Sequence, residues 1–168
     1  DWGVTGVQTC ALPIYMTIEV ILPYFDMKSP SFKKLVTEFR IKMFEEVAKS
    51  DLDGLIFTYV WKLDSSNDTY FINTIVNIFE RAQATVCYVE LEASAKERLK
   101  RNISPNRLRY KPSKIDFDAS EKELLETDRE HILNSYVGEF RNKNHLKINN
   151  TELNAERVAE IIKERFGL

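Results

Sequence analysis

Seven basic residues and no acidic ones lie between positions 98 and 115, and this segment carries the clearest chemical signal in the sequence. The basic residues are Arg98, Lys100, Arg101, Arg107, Arg109, Lys111 and Lys114. Lysine and arginine bind phosphate oxygens through charge-assisted hydrogen bonds, and arginine does so with a planar, two-pronged donor. The composition is therefore typical of a flap that closes over phosphates, although a solvated basic surface loop would have the same composition.

Two predicted elements lead into this basic segment. Residues 85–91, TVCYVEL, are mostly β-branched or aromatic, which predicts a buried strand. A turn at Ala93 and Ser94 then starts a helix whose last turn contains Arg98 and Arg101. A buried strand followed by a helix and a cationic flap is the arrangement expected of a phosphate-binding lid.

The other predicted elements also alternate between helix and strand. Apolar residues recur at helical spacing in residues 31–49 and 70–82, whereas residues 54–60, GLIFTYV, form the continuous apolar run of a parallel strand. Residues 145–149 predict a short last strand, which a turn connects to a final helix. This alternation predicts one α/β domain with a parallel sheet and right-handed crossovers.

Several helix boundaries can be predicted from capping signals. Ser29 followed by Pro30 predicts the start of the first long helix, and Ser120 with Glu123 matches a capping box that would start a later one. Gly167 is expected just after the last helix. The expected inward face of the 31–49 helix consists of Phe32, Leu35, Val36, Phe39, Met43 and Val47.

The composition disfavours several classes of function. A net charge of −2 gives the chain no general field for nucleic acid, and no apolar stretch reaches the roughly 20 residues of a membrane span. Cys10 and Cys87 do not make a disulfide framework or a metal site. His131 and His145 have no partner at the spacing of a catalytic triad or a metal site. We therefore expect a cytoplasmic protein that binds neither nucleic acid nor membrane.

Residues 1–14, DWGVTGVQTCALPI, differ in character from the rest of the chain. They contain two of the five glycines, no lysine or arginine, and neither helical nor alternating periodicity. The string resembles translated sequencing-adapter read-through, so we expect a non-native leader, with an ordinary disordered N-terminus as the alternative. Native sequence is then expected from Tyr15 or Met16.

Four segments of the remaining chain resemble the C-terminal part of the small P-loop kinases, above all the bacterial ATP-binding proteins described as shikimate kinase-like. The segments are GLIFTYVW, VELEASAKERLKRN, NRLRYKPSK and NNTELNAERVAEIIKE. The likeness covers residues 16–168. It implies a three-layer α/β fold of the P-loop NTPase type with a parallel sheet, and a lid at residues 102–119.

The resemblance also implies a nucleotide site around the basic segment. An arginine before the lid would lie near the adenine, a lid arginine would lie over the phosphates, and the loop after the last strand would border the adenine. The candidate nucleotide-binding residues are Arg98, Arg101, Arg109, Asn150 and Thr151, and the candidate catalytic residues are Arg101 and Arg107. ATP and Mg²⁺ would be the cofactors of the intact parent protein.

A second implied site would hold the small-molecule phosphoryl acceptor. Phe39 and Arg40 resemble the pair that positions an acidic acceptor in shikimate kinases, but Met43 stands where that family has a glutamate. The acceptor itself is therefore not identified. From the residues alone, Arg40 could equally form a salt bridge with a neighbouring acid. Asp64, just after a predicted strand, could bind Mg²⁺ or cap the next helix.

The phosphate loop of this family is absent from the sequence. None of the five glycines, at positions 3, 6, 54, 138 and 167, precedes a lysine, so the motif G-x-x-x-x-G-K-[ST] does not occur. We therefore expect an inactive, N-terminally truncated fragment of an ATP-dependent kinase for a small molecule or nucleotide, which binds no cofactor tightly. The alternative is a non-catalytic α/β module whose basic segment grips a phosphorylated ligand or a protein.

The absent first strand also affects the predicted sheet. In the family it lies between the strands that correspond to residues 54–60 and 85–91, and both of these apolar runs expect a neighbour on each edge. The two strands could pair directly, leave a gap, or accept a substitute strand. Because residues 4–12 contain several Val and Thr, we expect part of Val4–Leu12 to fill the position.

Overall fold

The computed structural model describes residues 9–104, 116–136, 138–140 and 142–168, with side chains from residue 16 onwards. The chain divides into two compact units, of which the first contains residues 1–61 and 70–84 and the second contains residues 62–69 and 85–168. Each unit contains a pair of parallel strands. Among the described helices, none is both long enough and apolar enough to cross a lipid bilayer.

In the first unit, a parallel strand pair is accompanied by three helices within the described residues. The elements are β1 (Thr9–Pro13), α1 (Ile14–Ile21), α2 (Pro30–Val47), β2 (Gly54–Thr58) and, from residue 70 onwards, α3 (Ser66–Arg81). The strands are in register with Thr9 opposite Gly54. Helix α2 begins where the sequence predicts, because the Ser29 hydroxyl accepts a hydrogen bond from the Phe32 amide and Pro30 occupies the first turn.

An aromatic cluster forms the core of the first unit. Phe44 on α2 is completely buried, and its ring meets Phe57 and Phe79 edge-on at centroid distances of 4.9 and 6.1 Å. Ile75 on α3 is buried beside it. Edge-to-face aromatic pairs contribute beyond their buried area. The cluster therefore joins α2, β2 and α3 by apolar packing.

The buried face of α2 differs from the predicted one. The buried residues are Phe32, Val36, Arg40 and Phe44, spaced by four. Leu35 and Phe39, which were predicted to point inward, are 36% and 39% exposed, so that part of the prediction is wrong. Helix α2 carries apolar residues on adjacent rows, and packing against β2 and α3 decides which row is buried.

The second unit also contains one described strand pair. Its elements are β3 (Tyr88–Glu92), α4 (Ala95–Asn102), α5 (Phe117–Glu130), β4 (His145–Asn149) and α6 (Ala155–Phe166). The register of the parallel pair places Glu90 opposite Lys147. Ile148 on β4 and Val158 on α6 are buried. Gly167 ends α6 with φ of 69°, the left-handed conformation that glycine adopts without strain.

Helix α5 begins earlier than the sequence predicts. Asp116 is its N-cap and accepts a hydrogen bond from the Ala119 amide at 3.0 Å. The predicted capping box at Ser120 and Glu123 is therefore wrong. Ser120 lies inside the helix, is buried, and donates its hydroxyl hydrogen to Oδ1 of Asn102 at 3.1 Å. The Ser120 hydroxyl therefore bonds to a residue distant in sequence and does not cap the helix.

Strand β1 is formed by residues of the leader. Residues 9–12 belong to the segment expected to supply a substitute strand, and they pair in parallel with β2. Residues 4–8 lie outside the described part of the chain. Within that part, β3 pairs with β4 and no described strand links β2 to β3. Strand pairing uses backbone groups that every non-proline residue carries, so residues 9–12 can provide it whatever their side chains.

Candidate functional site

Three of the predicted nucleotide-site residues lie together in the second unit. Nη2 of Arg101 donates to the backbone carbonyl of Asn150 at 2.8 Å and to that of Thr151 at 3.3 Å. Arg101 lies in the last turn of α4, and the two carbonyls belong to the turn that follows β4. The helix that leads into the basic segment is thus tied to the loop predicted to border the adenine.

The same turn is tied to the beginning of α4. Ser94, the N-cap, accepts a hydrogen bond from the Glu97 amide, and its own amide donates to the Thr151 hydroxyl at 3.0 Å. We call Ser94, Glu97, Arg101, Asn150 and Thr151 the α4–turn latch. Because it has contacts at both ends of the helix, the latch fixes the turn as well as the helix.

Glu97 orients the guanidinium of Arg101 within the latch. Its Oε1 accepts a hydrogen bond from Nε of Arg101 at 2.8 Å, one helical turn away. This hydrogen bond from Arg101, opposed by burial, lowers the pKa of the Glu97 carboxyl. The carboxylate is therefore ionised at neutral pH and holds Arg101 in a single direction.

The other arginine of α4, Arg98, contacts the protein differently. Its Nη2 forms an ion pair with Asp128 on α5, and both side chains are about one-third exposed. The structure does not bring Arg98 to the turn after β4. Arg107 and Arg109, the predicted lid arginines, lie outside the described residues.

Arg40, the predicted acceptor-binding residue, is a buried cation in the first unit. It is 7% exposed, and its Nε donates to the hydroxyl of Thr17, which is completely buried, at 2.8 Å. Burial lowers the pKa of Arg40 to about 10, while Tyr59 has the opposite effect. Burial thus disfavours the charged form of the guanidinium.

Sequence reasoning missed a third polar site, which is centred on Glu90 of β3. Its carboxylate accepts hydrogen bonds from the backbone amide of Ser135 at 2.8 Å and from the Ser135 hydroxyl at 2.6 Å. It also accepts one from the side-chain amide nitrogen of Asn134 at 2.9 Å. The side chains of His145 and Lys147 each lie 3.1 Å from it. We call these five residues the Glu90 network. An isolated acid within the apolar run 85–91 was the sequence signal that could have revealed it.

The Glu90 network holds an ionised carboxylate. Burial alone would raise the pKa of Glu90, but hydrogen bonds from Ser135, Asn134 and Lys147 together outweigh it and lower the pKa to about 2. Both Ser135 and His145 contact the same oxygen, Oε2, rather than one another in series. The geometry is therefore that of a structural link between β3 and residues 134–135, and not that of a nucleophile activated by histidine.

Asp64, for which the sequence left Mg²⁺ binding and helix capping open, contacts the segment after α5. Its Oδ2 lies 3.2 Å from Nδ1 of His131, and its Oδ1 accepts a hydrogen bond from the Ile132 amide at 3.2 Å. These contacts join residue 64 to the segment after α5. In the described ranges, no group of three or more His, Cys, Asp or Glu side chains is placed to hold a metal ion.

A comparison with protein-family models gave no match, and comparisons with curated proteins and with solved structures gave none either. The likeness to the P-loop kinases therefore depends on the four sequence segments.

Proposed function

We propose that this chain is part of an ATP-dependent kinase that transfers the γ-phosphoryl group of ATP to a small molecule or a nucleotide. The proposed fold is the three-layer parallel α/β fold of the P-loop NTPases, incomplete at the N-terminus. The α4–turn latch carries the proposal, because it joins Arg101 to Asn150 and Thr151. These are the elements that such a kinase needs on the adenine side of its nucleotide.

The environment of Arg40 supports an anionic acceptor. A guanidinium buried beside the Thr17 hydroxyl, with its pKa lowered by burial, favours a ligand that brings a negative charge. Carboxylates and phosphates match the geometry of arginine. Arg40 would then bind and orient the acceptor, and the identity of the acceptor beyond its charge is left open.

Exposed apolar strand faces give further support. Ile56 on β2 and Leu91 on β3 are 51% and 50% exposed, although both strands belong to continuous apolar runs. Such runs are typical of parallel strands that are covered on both faces. The first strand and helix of a P-loop kinase would cover apolar faces of this kind.

Catalysis in this class depends on positioning and on charge stabilisation. ATP, bound with Mg²⁺, supplies the transferred group, and the residues of this chain would only bind and orient. Since the sequence contains no G-x-x-x-x-G-K-[ST] motif, the amides and lysine that stabilise the transferring phosphoryl group are missing. We therefore propose that the chain is inactive as it stands.

The first experiment measures ATP hydrolysis and phosphoryl transfer by the purified chain. We expect no turnover above background. The matched control is Arg107→Ala, which alters the predicted lid arginine. Turnover by the chain that this substitution abolishes would contradict the proposed inactivity.

The second experiment replaces residues 1–14 with a strand, a G-x-x-x-x-G-K-[ST] loop and a helix, and measures ATP binding by calorimetry. We expect binding, and we expect a control insert whose loop lysine is methionine to bind more weakly. In the active chimera, Arg107→Ala should reduce the turnover number strongly and the free energy of unfolding only slightly. A folded chimera that does not bind ATP would favour the alternative, a non-catalytic module for a phosphorylated ligand or a protein.

A further inference from the structure

We propose that Arg101 is a positioning residue that shapes the adenine side of the nucleotide site, and that it does not contact the phosphates. This inference rests on the proposed function, because the turn after β4 borders an adenine only if the chain is a P-loop kinase.

Two of the three guanidinium nitrogens of Arg101 donate to the protein. Nε donates to the Glu97 carboxylate, and Nη2 donates to the carbonyls of Asn150 and Thr151. A phosphate that approached these nitrogens would have to displace three protein acceptors, one of them ionised. Hydrogen bonds to charged groups are among the stronger ones in proteins, so this displacement is unfavourable.

Two of the three acceptors of Arg101 are backbone carbonyls of the turn after β4. Thr151 is also held through its hydroxyl by the Ser94 amide and through its own amide by Oδ1 of Asn149 at 3.1 Å. The Leu153 amide donates to the Asn150 carbonyl, the same oxygen that accepts from Arg101. Arg101 therefore fixes the direction of the polar backbone groups at this turn.

Fixed backbone groups are what a site needs in order to orient a planar base, since a few well-placed polar groups determine the orientation of a ligand. If Arg101 acts through the turn, its loss weakens the binding of the base whatever phosphates are attached. If Arg101 contacts a phosphate, its loss weakens only the phosphorylated ligand. Adenosine and ADP, which share a base, distinguish the two roles.

The experiment measures the dissociation constants of adenosine and ADP for the chain, by NMR titration at millimolar ligand. We expect Arg101→Ala to weaken both by the same factor, about tenfold. Arg101→Lys should weaken both less, because an ammonium can still donate to one carbonyl. The matched control is Lys96→Ala, which removes an exposed cation from the same helix and should change neither constant.

Amide hydrogen exchange at Thr151 and Leu153 reports the latch directly, and both amides should exchange faster in Arg101→Ala. If Arg101→Ala fails to fold, Arg101→Lys provides the same comparison. Weaker binding of ADP with unchanged binding of adenosine would overturn the positioning role and assign Arg101 to the phosphates. If the unaltered chain binds neither ligand while Thr151 is protected, the turn does not bind the base and the positioning role fails, whereas the chimera tests the proposed function separately.

Discussion

The two units of this chain are stabilised by different interactions. In the first, the rings of Phe44, Phe57 and Phe79 pack edge to face. In the second, carboxylates and guanidinium groups hold the elements together, through the Glu90 network and the α4–turn latch. Apolar packing depends little on pH, whereas hydrogen bonds to ionised groups depend on the ionisation state. The two units should therefore respond differently to truncation and to acid.

The sharpest test of this comparison is Phe44→Ala. Removing a completely buried aromatic ring leaves a cavity, so we expect the first unit to lose about 3–5 kcal/mol of stability. Native-state hydrogen exchange of the β2 amides measures this loss, and the amides of β3 and β4 should change less. The control Phe39→Ala removes a ring that is 39% exposed and should have a much smaller effect. Equal destabilisation by both substitutions would contradict the assigned core.

The second test is Glu90→Gln, which keeps the shape of the side chain and removes its charge. We expect a loss of about 3 kcal/mol in the second unit, because Lys147 and the two donors of Ser135 lose an ionised acceptor. Exchange of the β3 and β4 amides provides the measurement. Glu92→Gln is the control, since that side chain is 43% exposed and its contact with Lys147 is 3.5 Å. Equal losses of stability in the two variants would show that the Glu90 network stabilises the second unit no more than an exposed ion pair does.

The third test is acid. The pKa of Glu90 is about 2 in the folded protein against an ordinary value of 4.5, so its contribution is complete above pH 4.5 and is lost as the pH falls towards 2. By pH 3, about 2 kcal/mol of this contribution should be gone. Unfolding of the second unit, followed by exchange from pH 6 to pH 3, should show this slope, and Glu90→Gln should remove it. A slope that persists in the variant would assign the acid sensitivity to other carboxylates.

The smallest expected effect belongs to Arg40→Met in the first unit. An apolar side chain of similar length loses the contacts of the guanidinium, among them the hydrogen bond to Thr17, but also removes the penalty of a buried charge, so stability should change by less than about 1 kcal/mol. Urea unfolding measures the change, with Thr17→Val as the matched control for the lost hydrogen bond. A loss above about 2 kcal/mol would mean that the guanidinium is structural, which would weaken its proposed role in binding an anionic acceptor.

Several elements could be predicted because their signals are local. The strand at residues 145–149 has the predicted bounds, and Gly167 ends the last helix as predicted. The start of α5 was predicted wrongly, because Asp116 and Ser120 are both residue types that favour the N-cap, and only the structure shows that Asp116 caps the helix while Ser120 bonds to Asn102, eighteen positions away. The inward row of α2 was ambiguous for a similar reason, since only its packing partners show why Phe44 is buried and Phe39 is not.

The sequence predicted which residues belong to the candidate site but not which contacts they make. Arg101, Asn150 and Thr151 were named from the resemblance, yet their hydrogen bonds join positions 49 and 50 residues apart. The roles of Arg98, which pairs with Asp128, and of Arg101, which holds a turn, became distinct only in the structure.

The sequence alone determined the order of the helices and strands from α2 onwards, the concentration of positive charge at 98–115 and the absence of a phosphate-loop motif. Each of these depends on residue types within a few positions of one another, where periodicity and capping act. Only the tertiary structure decided that β1 pairs with β2 with Thr9 opposite Gly54, that Glu90 accepts hydrogen bonds from residues 134–147, and that Arg40 is buried. Such contacts depend on which strands pair and which helix face packs, and neither is determined by local sequence.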